Sequence, residues 1–127
     1  MDIIGIGTEI VECLRVGRMI EQHGEQFLAR VYTAREMQFC QARRRATEQF
    51  AAYWAAKEAV LKALGTPWRQ GIEWTDIEIR EEGGAGPVVE FSGATRELTQ
   101  SLRLGRVMLS MSHCRAYATA TAVAVRG

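Results

Sequence analysis

The sequence predicts an α+β domain, in which a long central helix and shorter helices pack against a small antiparallel sheet. Two patterns carry the prediction. Between Tyr117 and Val125, Ala118, Ala120, Ala122 and Ala124 alternate with Thr119, Thr121, Val123 and Val125, so one face of a strand presents nothing larger than a methyl group. The longest helical pattern, Thr47 to Leu64, is lined with Ala51, Ala52, Ala55, Ala56, Ala59 and Ala63. Two small-residue faces can approach closely, which places helices against one face of the sheet. At 127 residues the chain has the size of a single domain, read as 1–127, with enough apolar content (47%) to build a core without metal or disulfide support.

The elements follow in order. Ile3 to Ile10 (IIGIGTEI) is β-branched and broken only by Gly5 and Gly7, which fits a buried strand that another backbone or a ligand approaches closely; it delivers Glu9 near its end. Val11, Leu14, Arg15, Arg18 and Met19 then recur at helical spacing up to a stop at Gly24, with Arg15 and Arg18 on the outer face. Thr33 and Glu36 have the form of a capping box and predict a short helix that carries Met37 and Cys40 inward. Arg43, Arg44 and Arg45 precede the long helix, which Gly65 and Pro67 end. Trp74–Arg80 and Val88–Phe91 predict two short strands around a turn at Gly83–Pro87. A helix from Ala94 to Leu104, closed by Gly105, leads to a last pair of strands, Val107–Ser112 and Tyr117–Val125, around a turn at His113–Arg115.

Composition narrows the function classes. A net charge of +1 gives no reason to expect a nucleic-acid partner or a polybasic membrane anchor, so an anionic ligand must be held by local charge. Cys13, Cys40 and Cys114 form no CxxC or Cys/His cluster and read as reduced thiols. The apolar run after Asp2 lacks a basic flank and a cleavage site, and no apolar stretch is long enough to span a bilayer, so a cytoplasmic protein with no membrane partner is expected.

The chemistry-bearing residues gather on the long helix. At about 100° per residue, Phe50, Trp54, Leu61 and Leu64 form one stripe, with Lys57 inside it and Glu58 and Lys62 along its border. Taken alone, Glu58 and Lys62 are the favourable i,i+4 pair of any helix surface, and Lys57 could bury its stem while its ammonium stays in water. Glu9 is the second acidic group that could reach this helix. Two carboxylates with open positions suit magnesium, which prefers oxygen ligands and is often completed by substrate phosphates. Beside such a metal Lys62 could meet a phosphate or accept a proton.

GIGTEI at 5–10, WAAKEAVLKALG at 54–65 and VMLSMSH at 107–113 together resemble the bacterial holo-acyl-carrier-protein synthases, the small phosphopantetheinyl transferases, in order, spacing and total length. The resemblance implies transfer of phosphopantetheine from coenzyme A to a serine of an acyl carrier protein, in fatty-acid or polyketide synthesis, with release of adenosine bisphosphate. It also implies a homotrimer with active sites between subunits. Glu58 is similar to the family's metal-binding glutamate, and Glu9 stands where the first metal ligand stands. That ligand is ordinarily aspartate; glutamate reaches about an ångström further and must fold back if distances of about 2.1 Å are kept, and manganese is then an alternative to magnesium.

Either Lys62 or Glu58 acting through a water would take the serine proton. Arg43, Arg44, Arg45, Lys57, Lys62, Gly65 and His113 are the expected coenzyme contacts, His113 toward the adenosine end. Arg15, Arg18 and Arg30 are expected to meet the acidic carrier, although Glu21 and Glu25 interrupt the basic face. Two rivals predict something else: a coenzyme- or carrier-binding domain that has lost catalysis, and a structural interaction domain in which Glu58 and Lys62 are only a surface pair.

Overall fold

The two alanine faces meet. In the computed structural model, which describes residues 2–65, 71–81, 84 and 86–127, strands β1 (Ile3–Glu12), β5 (Tyr117–Arg126) and β4 (Leu104–His113) form an antiparallel sheet in the order β1-β5-β4. Helix α4 (Ala46–Ala63) lies across it. In the central strand Ala118, Ala120, Ala122 and Ala124 are all buried, and so are Ala51, Ala52, Ala55, Ala56, Ala59 and Ala63 of the helix.

The register extends the small-residue surface. Gly7 pairs with Ala122 and Gly5 with Ala124, so β1 adds two glycines to the same face. A β-carbon at Gly7 would lie 2.0 Å from the Ala59 carbonyl oxygen, and one at Gly5 would lie 2.3 Å from that of Ala63. The helix backbone therefore rests directly on β1. On the other flank Val107, Leu109 and Met111 of β4 complete the layer.

The opposite side of α4 is also covered. Helices α1 (Cys13–His23), α2 (Glu25–Val31) and α3 (Ala34–Gln41) and the hairpin of β2 (Ile77–Glu81) and β3 (Pro87–Phe91) close over Phe50, Leu61 and Leu64. Helix α5 (Gly93–Ser101) sits beside a 3-10 turn at Trp74–Asp76. From Phe50 onward the part of α4 left open is a single line, Trp54, Glu58 and Lys62, one turn apart.

Several boundaries differ from the sequence reading. β1 continues through Val11 to Glu12 because the Cys13 N–H bonds to Ala116 O and the strand keeps its partner. The segment after Gly24 forms α2, which no periodicity announced; Gly24, at φ 51°, ends one helix and starts the next. α5 stops at Ser101 because Arg103 adopts φ 57°, and β4 begins at Leu104, ahead of Gly105. The Thr33–Glu36 capping box forms as expected. The Pro67 stop, and Gly83 and Ala85 of the Gly83–Pro87 turn, lie outside the described residues. No helix among the described residues is long and apolar enough to cross a membrane.

Candidate active site

Because β1 side chains alternate, the residue two beyond Gly7 points to the same face, and Glu9 arrives at the open line of α4. There the Lys62 Nζ lies 3.1 Å from Glu9 Oε2 and donates to Thr8 O at 3.0 Å, while the Ile10 N–H donates to Glu9 Oε1 at 3.2 Å. Glu58 hydrogen-bonds to Glu9. A cleft of about 520 Å³ opens over this group, walled by Glu12, Arg15, Trp54, Trp74 and Tyr117 among others.

The electrostatics of the two carboxylates diverge. Burial, then the adjacent charge of Glu9 and the hydrogen bond to it, push Glu58 up to about 7 against the opposing charges of Lys62 and Arg15. Burial works the same way on Glu9, but the bonds from Lys62, the Ile10 N–H and Glu58 outweigh it and hold Glu9 below its ordinary value. Two carboxyl groups placed together thus share a proton, with Glu58 the site that binds it.

A divalent cation would take the place of that proton. The donors are oxygens, suited to a hard ion, and among the described residues no third His, Cys, Asp or Glu converges to complete a protein cage. Two carboxylates in an open cleft fit an ion whose remaining positions go to water and phosphate, so the residues present fit magnesium or manganese.

A second cluster forms at the start of α4. His113 Nδ1 lies 3.0 Å from Glu48 Oε1, and Arg45 reaches the other oxygen of Glu48 at 3.6 Å. Arg43 stacks over the Phe39 ring at 4.0 Å, and Arg44 is exposed. Gly65 lies exposed at the far end of the helix with φ 74°. At 1.5 Å per residue, the span from Glu48 to Glu58 is roughly 15 Å. Arg15 and Arg18 are exposed on α1, and Arg30 borders an apolar groove of about 340 Å³ lined by Met19, Phe27, Val31, Trp54 and Trp74.

A model of the 4'-phosphopantetheinyl transferase superfamily matches residues 5–122, nearly the whole chain. The chain belongs to this superfamily. It is 46% identical over 123 residues to the holo-acyl-carrier-protein synthase of Rhodopirellula baltica, covering 97% of this chain and 98% of that one. The crystal structure of the Neisseria meningitidis holo-acyl-carrier-protein synthase superimposes with a TM-score of 0.89 at 31% identity, covering 98% of this chain and 99% of that one. The Bacillus anthracis synthase in complex with coenzyme A (3',5'-ADP) gives 0.82 at 30% identity, with both chains fully covered. The family fold is therefore the expected layer of helices against an antiparallel sheet.

Within this transferase fold one expected coenzyme contact is corrected. Lys57 is fully buried and faces away from the cleft: its Nζ meets Glu36 Oε1 at 2.7 Å, Val31 O at 2.7 Å and Trp74 O at 3.0 Å. The Glu36 carboxylate also accepts from the Thr33 N–H at 2.9 Å and the Ile79 N–H at 2.6 Å. Burial pushes Glu36 up and Lys57 down. Yet Nζ meets three acceptors and the carboxylate three donors, the arrangement of an ion pair. Glu36 neutralises Lys57, and no coenzyme is needed to do so.

Some residues of the site carry no signal in the sequence. Glu48 has the pattern of an ordinary first-turn helix residue, and Trp74 that of a strand residue. Arg15, expected at the carrier surface, lines the cleft and acts on Glu58. Only the fold brings these groups to their partners.

Proposed function

We propose that the protein transfers phosphopantetheine from coenzyme A to a serine hydroxyl of an apo acyl carrier protein, releasing adenosine 3',5'-bisphosphate. One observation carries the reading in this superfamily member: Glu9, Glu58 and Lys62 meet in an open cleft, two oxygen-donor carboxylates beside one cation. Serine Oγ bonds to the β-phosphorus as the bond from that phosphorus to the bridging oxygen of the adenosine bisphosphate breaks.

Lys62 Nζ, aligned by Glu9 and Thr8 O, is a cation placed for a phosphate oxygen. Glu58 takes the serine proton through a water at a carboxylate oxygen. Glu9 and Glu58 would hold magnesium or manganese, which when bound would supply charge neutralisation at the pyrophosphate. Trp54 and Trp74 shape the wall between this cleft and the apolar groove, and Arg15, Arg18 and Arg30 lie around them to attract an acidic carrier.

The working form is a homotrimer, acting in the cytoplasm as a single-domain enzyme of fatty-acid biosynthesis. Two features support the trimer. The outer face of the sheet leaves Ile6 and Ile10 68% and 60% exposed, with Met108 also open, an apolar surface suited to a second copy. The Arg45–Glu48–His113 cluster lies farther from the Glu9–Glu58 cleft of its own chain than one ribose spans, so a coenzyme touching both draws them from two copies. Arg43 and Arg44 flank that cluster, and Gly65 lies at the helix end beyond Lys62.

The deciding experiment incubates the protein with coenzyme A, magnesium and an apo acyl carrier protein and measures the carrier's intact mass, with Glu58→Gln as control. A gain of one phosphopantetheine, absent with Glu58→Gln, supports the reading. Coenzyme binding without any gain, across several carriers and with manganese, would refute it in favour of a binding domain.

A further inference from the structure

Cys13 and Cys114 stand on the two sides of one junction. Strands β1 and β5 pair as far as Glu12 and Tyr117, and the Cys13 N–H then donates to Ala116 O at 2.9 Å. Cys114 opens the β4–β5 turn, which its own N–H closes on Tyr117 O at 2.9 Å. Across this junction the Cys13 thiol donates to Cys114 O at 3.7 Å, a contact between residues 101 positions apart. Burial, then the charges of Glu48 and Cys114, push the Cys13 thiol up, so the second sulfur lies near enough to act on the first.

The two thiols differ in access. Cys13 is 4% exposed and tied down by its backbone bond, whereas Cys114 is exposed, as are Arg115 and Ala116 after it. Cys40 is fully buried in the core. An exposed thiol backed by a shielded one is the arrangement of an attacking and a resolving cysteine.

We infer that Cys114 and Cys13 form a reversible thiol–disulfide site, in which Cys114 reacts with a low-molecular-weight disulfide and Cys13 resolves the product to an internal Cys13–Cys114 bond. In the first step the Cys114 thiolate attacks one sulfur of the reagent; that S–S bond breaks, and one thiol leaves with the proton Cys114 gave up. In the second the Cys13 sulfur attacks Cys114 Sγ, its proton passes to the departing thiolate, and the second thiol leaves. The protein loses two electrons and two protons, and the reagent becomes two thiols. Reducing thiols run the sequence backwards, which suits cysteines that are free at rest.

The bond also moves the turn. Cys13 is fixed by strand and core, so the exposed turn is the part that shifts to meet it. His113 precedes Cys114 and meets Glu48 Oε1 at 3.0 Å, and Glu48 lies close enough to Cys13 to raise its thiol. Drawing Cys114 inward therefore pulls His113 off Glu48 and away from its place at the coenzyme. That loss of transfer rests on the transferase reading above; the exchange at the two cysteines does not.

Native protein is treated with glutathione disulfide and its intact mass followed. The wild type should end lighter by two hydrogens, and tryptic digestion without reductant should leave peptide 1–15 linked to peptide 107–115. Cys13→Ser should stop one step earlier, heavier by one glutathionyl group on Cys114. Cys114→Ser should stay unmodified, and Cys40→Ser should behave as wild type. The internally linked protein should transfer phosphopantetheine more slowly by about tenfold or more, as for a displaced binding group, and dithiothreitol should restore the rate. Cys114→Ser, with or without the reagent, should stay within about twofold of the reduced wild type.

An unchanged wild-type mass, a mixed disulfide that persists, a link through Cys40 or between two chains, or full activity of the internally linked protein would each overturn the inference. A reduced protein that never transfers phosphopantetheine removes the transferase reading, and the mass and peptide results then decide the cysteine site by themselves.

Discussion

Replacing Lys57 by Met probes a buried charge that the sequence assigns to the coenzyme and that is structural in space. Met keeps much of the side-chain volume, so the loss is electrostatic. Glu36 would remain fully buried as a carboxylate without its cation, which costs about 3–5 kcal/mol, and Val31 O and Trp74 O would each lose a donor at about 1 kcal/mol or more. A loss of at least about 4 kcal/mol is large against the roughly 5–15 kcal/mol of a typical domain. With a urea slope of about 1–3 kcal/mol/M, the unfolding midpoint should drop by about 1.3–4 M at pH 7.

The loss should depend on pH. Burial already raises Glu36, and Lys57 is what opposes that rise, so in Lys57→Met the carboxyl goes higher still. A raised folded value contributes stability below the unfolded value and loses it as pH climbs through the folded one, so the deficit at pH 5 should be smaller than at pH 7. Adding Glu36→Gln should recover part of the loss at pH 7, though not all, because an amide cannot accept from both the Thr33 and Ile79 N–H groups. A midpoint shift below about 0.5 M, or one equal at both pH values, would refute the ion pair.

Three other outcomes follow from the same geometry. Gly7→Ala should cost about 1–3 kcal/mol or more and lower transferase activity by moving Glu9, since the new methyl meets backbone of Ala59; Gly84→Ala, with nothing within 4 Å, should change chemical stability by less than about 0.5 kcal/mol. In metal-free buffer Glu58→Gln should gain stability relative to wild type as pH rises from 5 to 8, because a carboxyl raised to about 7 stabilises below 4.5 and loses that contribution through 7; parallel melting curves would exclude the shared proton. Ile6→Glu should lower the sedimentation coefficient toward that of one chain, and an unaltered value would remove the sheet face as the subunit contact.

The layer arrangement and the core of the site are legible in the order of residues alone. Alternation of alanines along β5 and their recurrence along α4 require two small faces to meet, and that close packing is why Gly5 and Gly7 precede Glu9. Periodicity puts Glu58 and Lys62 on one edge of the helix, so the cleft group can be read from helical spacing and the Glu9 strand end. What periodicity could not decide was the fate of charges whose partners come from elsewhere in the chain. Lys57, in the apolar stripe, had a choice between water and a buried anion, and only the docking of α3 and β2 supplied Glu36. The capping box marked Glu36 as a helix start and was silent about its burial. Glu48 became more than a first-turn carboxylate only when the β4–β5 turn brought His113 across 65 positions of chain. Local patterns set which face each residue takes; tertiary contact sets which charge it finds there, because Coulomb attraction and desolvation depend on distance in space and not along the chain.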